Sequence, residues 1–95
     1  MPHLLKKRQT VHDRKVREVA RRLRKAGYFV RADLPGHKKP FKIGGVIPDV
    51  YAHKKGKKVL YEIETSQTLK RDLPMQKKLA KATQKIGAEF RLLVV

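Results

Sequence analysis

The sequence predicts one α/β domain in which helices flank a central mixed β-sheet. Apolar residues recur at helical spacing before Gly27, and two apolar runs enclose a short glycine-bearing turn at Gly56, which is a hairpin signal. A second helical pattern then leads into a closing apolar run, 89–95. The predicted order is helix, three strands, helix, strand, and a chain of 95 residues has room for a single core.

The first predicted helix begins at Thr10 and ends before Gly27. Thr10 can cap it, and Asp13 favours the positive end of its dipole. Its apolar stripe consists of Val16, Val19, Ala20, Leu23 and Ala26. Residues 1–9 have no usable period and are predicted to be a basic arm that orders on a partner, which leaves 10–95 as the folded domain.

Four segments are predicted to build the sheet. They are 28–32, 46–52, 58–64 and 89–95. Between the first two strands, 33–45 is rich in glycine, proline and lysine and is predicted to be a loop. Because a loop of this length in so small a domain tends to be functional, we expect it to grip a ligand backbone.

The second helical pattern starts at Gln67, and Pro74 is predicted to be the first residue of its regular part. Gly87 ends it. The candidate capping residues are Thr65, Ser66 and Thr68. The predicted apolar face consists of Met75, Leu79, Ala82 and Ile86.

The charge balance indicates a polyanionic partner. Twenty-five lysines and arginines face eight acids, for a net charge of +17. No segment has the apolar length of a membrane-spanning helix, and the first ten residues lack the apolar run of a signal peptide, so nucleic acid is favoured over a membrane. Composition does not separate DNA from RNA. The absence of cysteine excludes disulfides and thiolate zinc sites and predicts a cytoplasmic protein.

Basic side chains are predicted to lie along one side of the first helix and in the long loop. The candidate nucleic-acid contacts are Arg14, Arg17, Arg21, Lys25, Lys38, Lys39 and Lys42. Such residues can form an ordinary solvated surface or contact phosphates. With so few acids to balance them, phosphate contact is the favoured interpretation.

Three carboxylates form the candidate catalytic cluster. Asp49 follows Pro48, and Glu62 and Glu64 flank Ile63. Residues two apart on a strand share a face, so the two glutamates would repel each other unless a cation or a proton separates them. The hairpin can place Asp49 opposite Glu62. Carboxylate oxygens suit Mg²⁺ or Mn²⁺, whereas the alternative is three solvent-facing acids paired with nearby lysines and arginines.

This arrangement resembles the PD-(D/E)XK nuclease superfamily over about residues 11–95, and is nearest in shape to the small archaeal Holliday-junction resolvases. The resemblance implies a restriction-endonuclease-like core and a metal-dependent DNA endonuclease, possessing two sites in a homodimer and leaving 5′-phosphates. It implies that Asp49 and Glu62 bind Mg²⁺ and that the backbone carbonyl of Ile63 adds a ligand.

The third motif position departs from the superfamily, because Glu64 stands where lysine is usual. A carboxylate cannot replace an ammonium group beside phosphate, but it can serve as a general base or a metal ligand. Some restriction endonucleases of the superfamily carry Glu-x-Glu, and other members have lost catalysis. The alternative function is therefore a non-catalytic nucleic-acid-binding protein that keeps the fold.

Two further polar residues are candidate helpers of the site. They are Glu18 on the first helix and Gln76 on the second, and each also fits an ordinary surface position. The histidines have no paired spacing for zinc and are predicted to be surface residues or phosphate contacts: His3, His12, His37 and His53. Gly44-Gly45 lacks the rest of a phosphate loop, so no nucleotide cofactor is expected.

Overall fold

The computed structural model describes the backbone of residues 3–95 and the side chains from residue 11 onward. Its elements are α1 (His3–Lys25), β1 (Phe29–Ala32), β2 (Val50–Lys54), β3 (Lys57–Glu64), α2 (Ser66–Lys85) and β4 (Glu89–Val94). The predicted element order and the α/β class are confirmed.

The four strands form one mixed sheet in the order β1-β2-β3-β4. Strand β2 is antiparallel to both β1 and β3, and β4 is parallel to β3. A parallel pair needs a crossover connection, which α2 supplies. Within residues 3–95, neither helix has the long apolar stretch that crossing a membrane requires.

Helix α1 covers one face of the sheet. Its residues Val16, Val19, Ala20 and Leu23 are buried, as the helical spacing predicted. They pack with alternate strand residues, among them Val50, Ala52 and Ile63. Ala26 is exposed, because the helix has already ended and the chain turns at Gly27, whose φ is +91°.

Helix α2 covers the opposite face over β3 and β4, where Leu79 and Leu60 are fully buried. Its predicted apolar face is only partly right. The buried residues of the helix are Gln76, Leu79 and Thr83, while Met75 and Ile86 are exposed and Ala82 is partly buried against the core. Leu79 is buried as predicted, but the buried face also includes Gln76, which is directed toward the glutamates of β3.

The start of α1 differs from the prediction. The helix begins at His3, so Thr10 lies inside it and is not its cap. Residues 3–9 of the expected basic arm are helical, and residues 1–2 of that arm lie outside the described residues. Whether these basic residues contact a partner stays a prediction.

Strand β2 begins at Val50, later than the predicted Val46. Val46 instead pairs with Ile43 in an isolated bridge, with a distance of 2.7 Å from the Ile43 nitrogen to the Val46 carbonyl oxygen. Pro48 has no N–H to donate to a ladder, which favours a strand start after it. The tight turn at Gly44 and Gly45 thus places Asp49 directly before β2.

Helix α2 begins at Ser66, and Pro74 lies within it, so the predicted start at Pro74 is wrong. Thr65 is the N-cap, as predicted among the capping candidates. Its hydroxyl accepts a hydrogen bond from the Thr68 backbone, and the Thr68 hydroxyl accepts one from the Thr65 backbone. Pro74 is exposed, so its missing N–H and its ring disturb only the solvent side of the helix.

Replacing Gly44 by alanine is expected to destabilise the domain by about 2 kcal/mol. Gly44 has a φ of +60°, and a Cβ there would lie 2.7 Å from the Ala82 Cβ on α2. Gly36→Ala is the matched control, because Gly36 also has a positive φ, +77°, but no atom lies within 4 Å of its added Cβ. Urea unfolding measures the free energy of unfolding of both variants. Equal losses of stability would show that the contact with α2 is unimportant.

Candidate active site

Residues from both helices and from the hairpin meet in one cleft of about 430 Å³. Asp49 lies directly before β2, and Glu62 and Glu64 lie near the end of β3. The hairpin register pairs Val50 with Tyr61, which places Asp49 opposite Glu62 as predicted. The structure therefore brings together all three carboxylates of the predicted cluster.

Two backbone hydrogen bonds hold Asp49 and Glu62 in place. The Asp49 N–H donates to Glu62 Oε2 at 2.7 Å, and the Ile63 N–H donates to Asp49 Oδ2 at 2.8 Å. Each carboxylate is thus fixed by the backbone of the other strand. The Ile63 side chain packs in the α1 core, and the predicted ligand role of its carbonyl stays a prediction.

Gln76 links the two glutamates of β3. Its amide nitrogen donates to Glu62 Oε1 at 3.0 Å and to Glu64 Oε2 at 2.5 Å. All three side chains are buried, with Gln76 2%, Glu62 4% and Glu64 5% exposed. The amide therefore supplies part of the compensation that two same-face carboxylates require. Gln76 is the predicted helper that the structure does bring to the cluster.

A proton on Glu62 further reduces the repulsion between the buried carboxylates. Burial, and then the negative charge of Asp49, raise the pKa of Glu62 to about 8. Its carboxyl group is therefore mostly protonated at neutral pH when no cation is bound. The sequence predicted that a cation or a proton would relieve the repulsion between the glutamates. Without metal, this arrangement favours the proton.

Glu64 is held by the first turn of α2. The Thr68 hydroxyl donates to Glu64 Oε1 at 2.5 Å, and Thr68 also belongs to the capping box with Thr65. The positive end of a helix dipole favours negative charge beside it. Thr68, in the first turn of α2, thus takes part in the cap of the helix and also orients the Glu64 carboxylate.

His12 is the site residue that the sequence reasoning missed. Its Nε2 lies 3.2 Å from Asp49 Oδ2, and its Nδ1 lies 3.1 Å from Asp13 Oδ1. The hydrogen bond to Asp49 raises the pKa of His12 to about 9 despite the opposing effect of burial. The imidazole is therefore positively charged at neutral pH. The sequence did contain one indication that His12 faces the sheet. His12 lies one helical turn before Val16, in line with the buried stripe of α1.

The predicted helper Glu18 lies outside the cleft. Its Oε1 is 2.5 Å from the Arg22 Nη2 and 3.4 Å from the Lys15 Nζ. Glu18 instead pairs with basic residues of its own helix, and the α1 side chain that contacts Asp49 is His12.

The basic residues of α1 lie along an exposed groove. Arg14, Arg17 and Arg21 line it, together with Glu18, Arg24 and His37. Arg24 Nη2 lies 3.2 Å from His37 Nδ1, which joins the groove to the long loop. The other predicted contacts are exposed: Lys25, Lys38, Lys39 and Lys42. Lys39 is partly engaged within its loop, because its Nζ donates to the Leu34 carbonyl at 2.9 Å.

Among the side chains of residues 11–95, no three histidines or acids form a ready-made metal cage. The carboxylates are instead held by hydrogen bonds to His12, Gln76, Thr68 and the backbone. Comparisons with protein-family models, with curated proteins and with solved structures found no match to this chain.

Proposed function

We propose that this protein is a Mg²⁺- or Mn²⁺-dependent DNA endonuclease with a restriction-endonuclease-like core. The observation that carries the proposal is the meeting of Asp49, Glu62 and Glu64 in one cleft of a protein with a net charge of +17. Burying acids together is costly unless their charge is used.

The chemistry of the donor set fits a hard divalent cation. The cleft offers the carboxylate oxygens of Asp49, Glu62 and Glu64. Burial, and then the negative charge of Asp49, raise the pKa of Glu62, and a bound cation would oppose both effects by favouring the charged carboxylate. Asp49 and Glu62 would hold the ion, which when bound supplies charge neutralisation and Lewis-acid activation at a phosphodiester.

The protein groups around the cluster have separate tasks in this proposal. Glu64 orients or deprotonates the attacking water, and Gln76 and Thr68 hold Glu64 in position. Among the described residues that line the cleft, the cationic ones are His12 and Arg71. Arg71 pairs with Asp72, which also lines the cleft, and His12 pairs with Asp49, so these two cations would face a phosphate together with their acidic partners.

Incubating the protein with supercoiled, linear, branched and single-stranded DNA tests the proposal. We expect cleavage with Mg²⁺ or Mn²⁺ and none with chelator. Branched DNA distinguishes a structure-specific, resolvase-like enzyme acting as a homodimer from a general nuclease. If no DNA form is cut with either ion, the catalytic proposal fails.

A second candidate function is a nucleic-acid-binding protein without catalysis. It is favoured by one observation, namely that all three carboxylates already have hydrogen-bond partners within the protein. Salt-dependent binding does not separate the two functions, since both require it. Dependence of cleavage on a divalent cation does.

Removing positive charge from the α1 groove is expected to weaken DNA binding and flatten its salt dependence. The variant Arg14→Gln, Arg17→Gln, Arg21→Gln should lose roughly one unit of slope in log K against log salt for each lost phosphate contact. Its control carries Lys77→Gln, Lys81→Gln and Lys85→Gln, the same charge change at exposed positions of α2. Equal effects of the two triple variants on the slope would reject α1 as the DNA-binding face.

The metal-free protein is expected to lose stability as the pH rises from about 6.5 to 9. The folded pKa values of Glu62 and His12, about 8 and about 9, lie above their ordinary values of 4.5 and 6.5. The folded state therefore holds protons that the unfolded state has released, and stability falls with pH by at most about 1.4 kcal/mol per pH unit for each such proton. The Glu62 contribution declines from about pH 4.5 to 8, and the His12 contribution declines from about pH 6.5 to 9.

Thermal unfolding in chelator and in Mg²⁺ measures this effect. Because a cation favours deprotonated carboxylates, its stabilising effect should grow over the same pH range. In His12→Gln the decline should end near pH 8. A stability that is constant or rises between pH 6.5 and 9 in chelator would contradict the prediction.

A further inference from the structure

Helix α2 covers only one half of its face of the sheet, and the other half, over β1 and β2, has no helix on it. Helix α2 packs against β3 and β4, and α1 packs on the other face. The side chains of β1 and β2 that alternate with the α1 core therefore have no helix over them, and of these Tyr51 is partly buried against the cluster of Ile43, Leu60 and Leu79. These side chains of β1 and β2 are Phe29, Arg31, Tyr51 and His53, and Phe41 of the long loop lies beside them.

Four rings form a continuous row, here called the aromatic platform: Phe29, His53, Tyr51 and Phe41. The Phe29 and His53 rings are stacked, with centroids 5.2 Å apart and planes 22° apart. His53 lies 6.1 Å from Tyr51, and Tyr51 lies 6.4 Å from Phe41 in an edge contact. Phe29 is 71% exposed and Phe41 58% exposed, so large parts of these rings are accessible.

Positive charge surrounds the platform. The guanidinium carbon of Arg31 lies 4.4 Å from the Phe41 ring centroid. Lys58 of β3 pairs with His53 across the hairpin. Both basic residues line a shallow pocket with Phe41, Tyr51 and His53, and none of its described lining residues is acidic. Accessible rings beside cations complement a ligand with flat faces and negative charge.

We infer that the aromatic platform binds a single-stranded segment of DNA. Bases stack on exposed rings, and neighbouring cations neutralise the phosphates between them. In a duplex the bases are already stacked and their faces are covered, so only an unpaired segment can use Phe29 and Phe41 in this way. The choice of DNA rests on the proposed function, whereas the stacking itself does not depend on catalysis.

The platform also narrows the substrate class of the proposed nuclease. Asp49 directly before β2 and Tyr51 and His53 within it alternate along the chain, so they lie on the same face of the sheet. A strand on the platform would therefore lead toward the carboxylate cleft. The substrate is then DNA in which duplex and single-stranded segments adjoin, as in a flap, a fork or an open junction.

Fluorescence anisotropy in chelator tests the inference without any cleavage. The probes are a labelled single-stranded oligonucleotide, an abasic strand of equal length, a blunt duplex and a single-stranded RNA. The wild type should bind the DNA single strand about tenfold more tightly than the abasic strand for each stacked base. Phe29→Leu with Phe41→Leu, which keeps apolar bulk but removes the rings, should lose this preference and bind duplex unchanged.

Two controls keep a failed variant from being misread. Ile86→Ala with Leu73→Ala changes two exposed apolar residues, one in α2 and one directly after it, and should keep the preference for bases. The chain has no tryptophan, so Phe29→Trp adds a single fluorophore to an otherwise intact platform. Its emission should be quenched by the DNA strand but not by the abasic one, and Ile86→Trp should respond to neither.

Several results would overturn the inference. One is equal wild-type affinity for the normal and abasic strands, and another is an equal loss on duplex and single strand in the double leucine variant. Tighter binding of RNA would overturn the choice of DNA. If sedimentation shows that the leucine variant loses a dimer while keeping its affinity for single strands, the platform binds a second copy instead. Since no cleavage is measured, failure of the nuclease proposal would leave a positive stacking result intact.

Discussion

Glu64→Gln is expected to abolish cation-dependent DNA cleavage, with a loss of about 10³-fold, while DNA binding stays the same or becomes tighter. The amide can still fill the space beside Thr68 and Gln76, but it cannot take a proton from water or bind a cation as a carboxylate does. Removing a negative charge near phosphate also lowers repulsion. Asp49→Asn should behave alike, because it removes a predicted metal ligand.

A plasmid-nicking assay together with fluorescence anisotropy measures cleavage and binding on the same preparations. Glu89→Gln is the matched control, since Glu89 is an exposed acid on β4 that pairs with Arg91 outside the cleft. This control should keep full activity. If Glu64→Gln is as active as the wild type, the role given to Glu64 is wrong, although the hairpin cluster itself remains.

Gln76→Leu is expected to destabilise the metal-free protein by about 2 to 3 kcal/mol. The buried Glu62 and Glu64 oxygens would lose their shared donor, and leaving buried acceptors unsatisfied costs more than a typical hydrogen bond contributes. Mg²⁺ should recover part of the loss, because a cation compensates the same oxygens.

Urea unfolding in chelator and in Mg²⁺ gives both quantities. Gln84→Leu serves as the control, being the same substitution at an exposed position of the same helix, and should have little effect. Should the two leucine variants unfold alike in chelator, the amide bridge contributes nothing to stability. A loss in Gln76→Leu that Mg²⁺ leaves unchanged would instead separate the bridge from the cation site.

The role proposed for Glu64 rests on these contacts. Thr68 and Gln76 orient its carboxylate. His12 and Arg71 are the cationic residues among the described lining of the cleft, and each is paired with acids, His12 with Asp49 and Asp13 and Arg71 with Asp72. In the proposed site, orienting the water and meeting the phosphate are tasks of separate residues.

The local pattern of the chain was sufficient to predict the element order and the meeting of Asp49 with Glu62. Alternation along a strand and a glycine-bearing turn act over a few residues, so the hairpin and its facing carboxylates follow from sequence spacing alone. The ends of both helices at Gly27 and Gly87 are equally local, because a positive φ suits glycine.

Tertiary packing decided the rest of the site. His12 and Asp49 are far apart in sequence. Their contact exists only because the apolar stripe of α1, which includes Val16, packs against the sheet. The buried face of α2 combines Leu79 with the bridge of Gln76 to the glutamates, so it is not the purely apolar face that the helical spacing predicted. Pro74 lies inside α2 although local rules predict a helix start there, because its ring meets solvent and the burial of Leu79 holds the helix in place. Such contacts depend on how elements dock, and no short-range pattern carries that information.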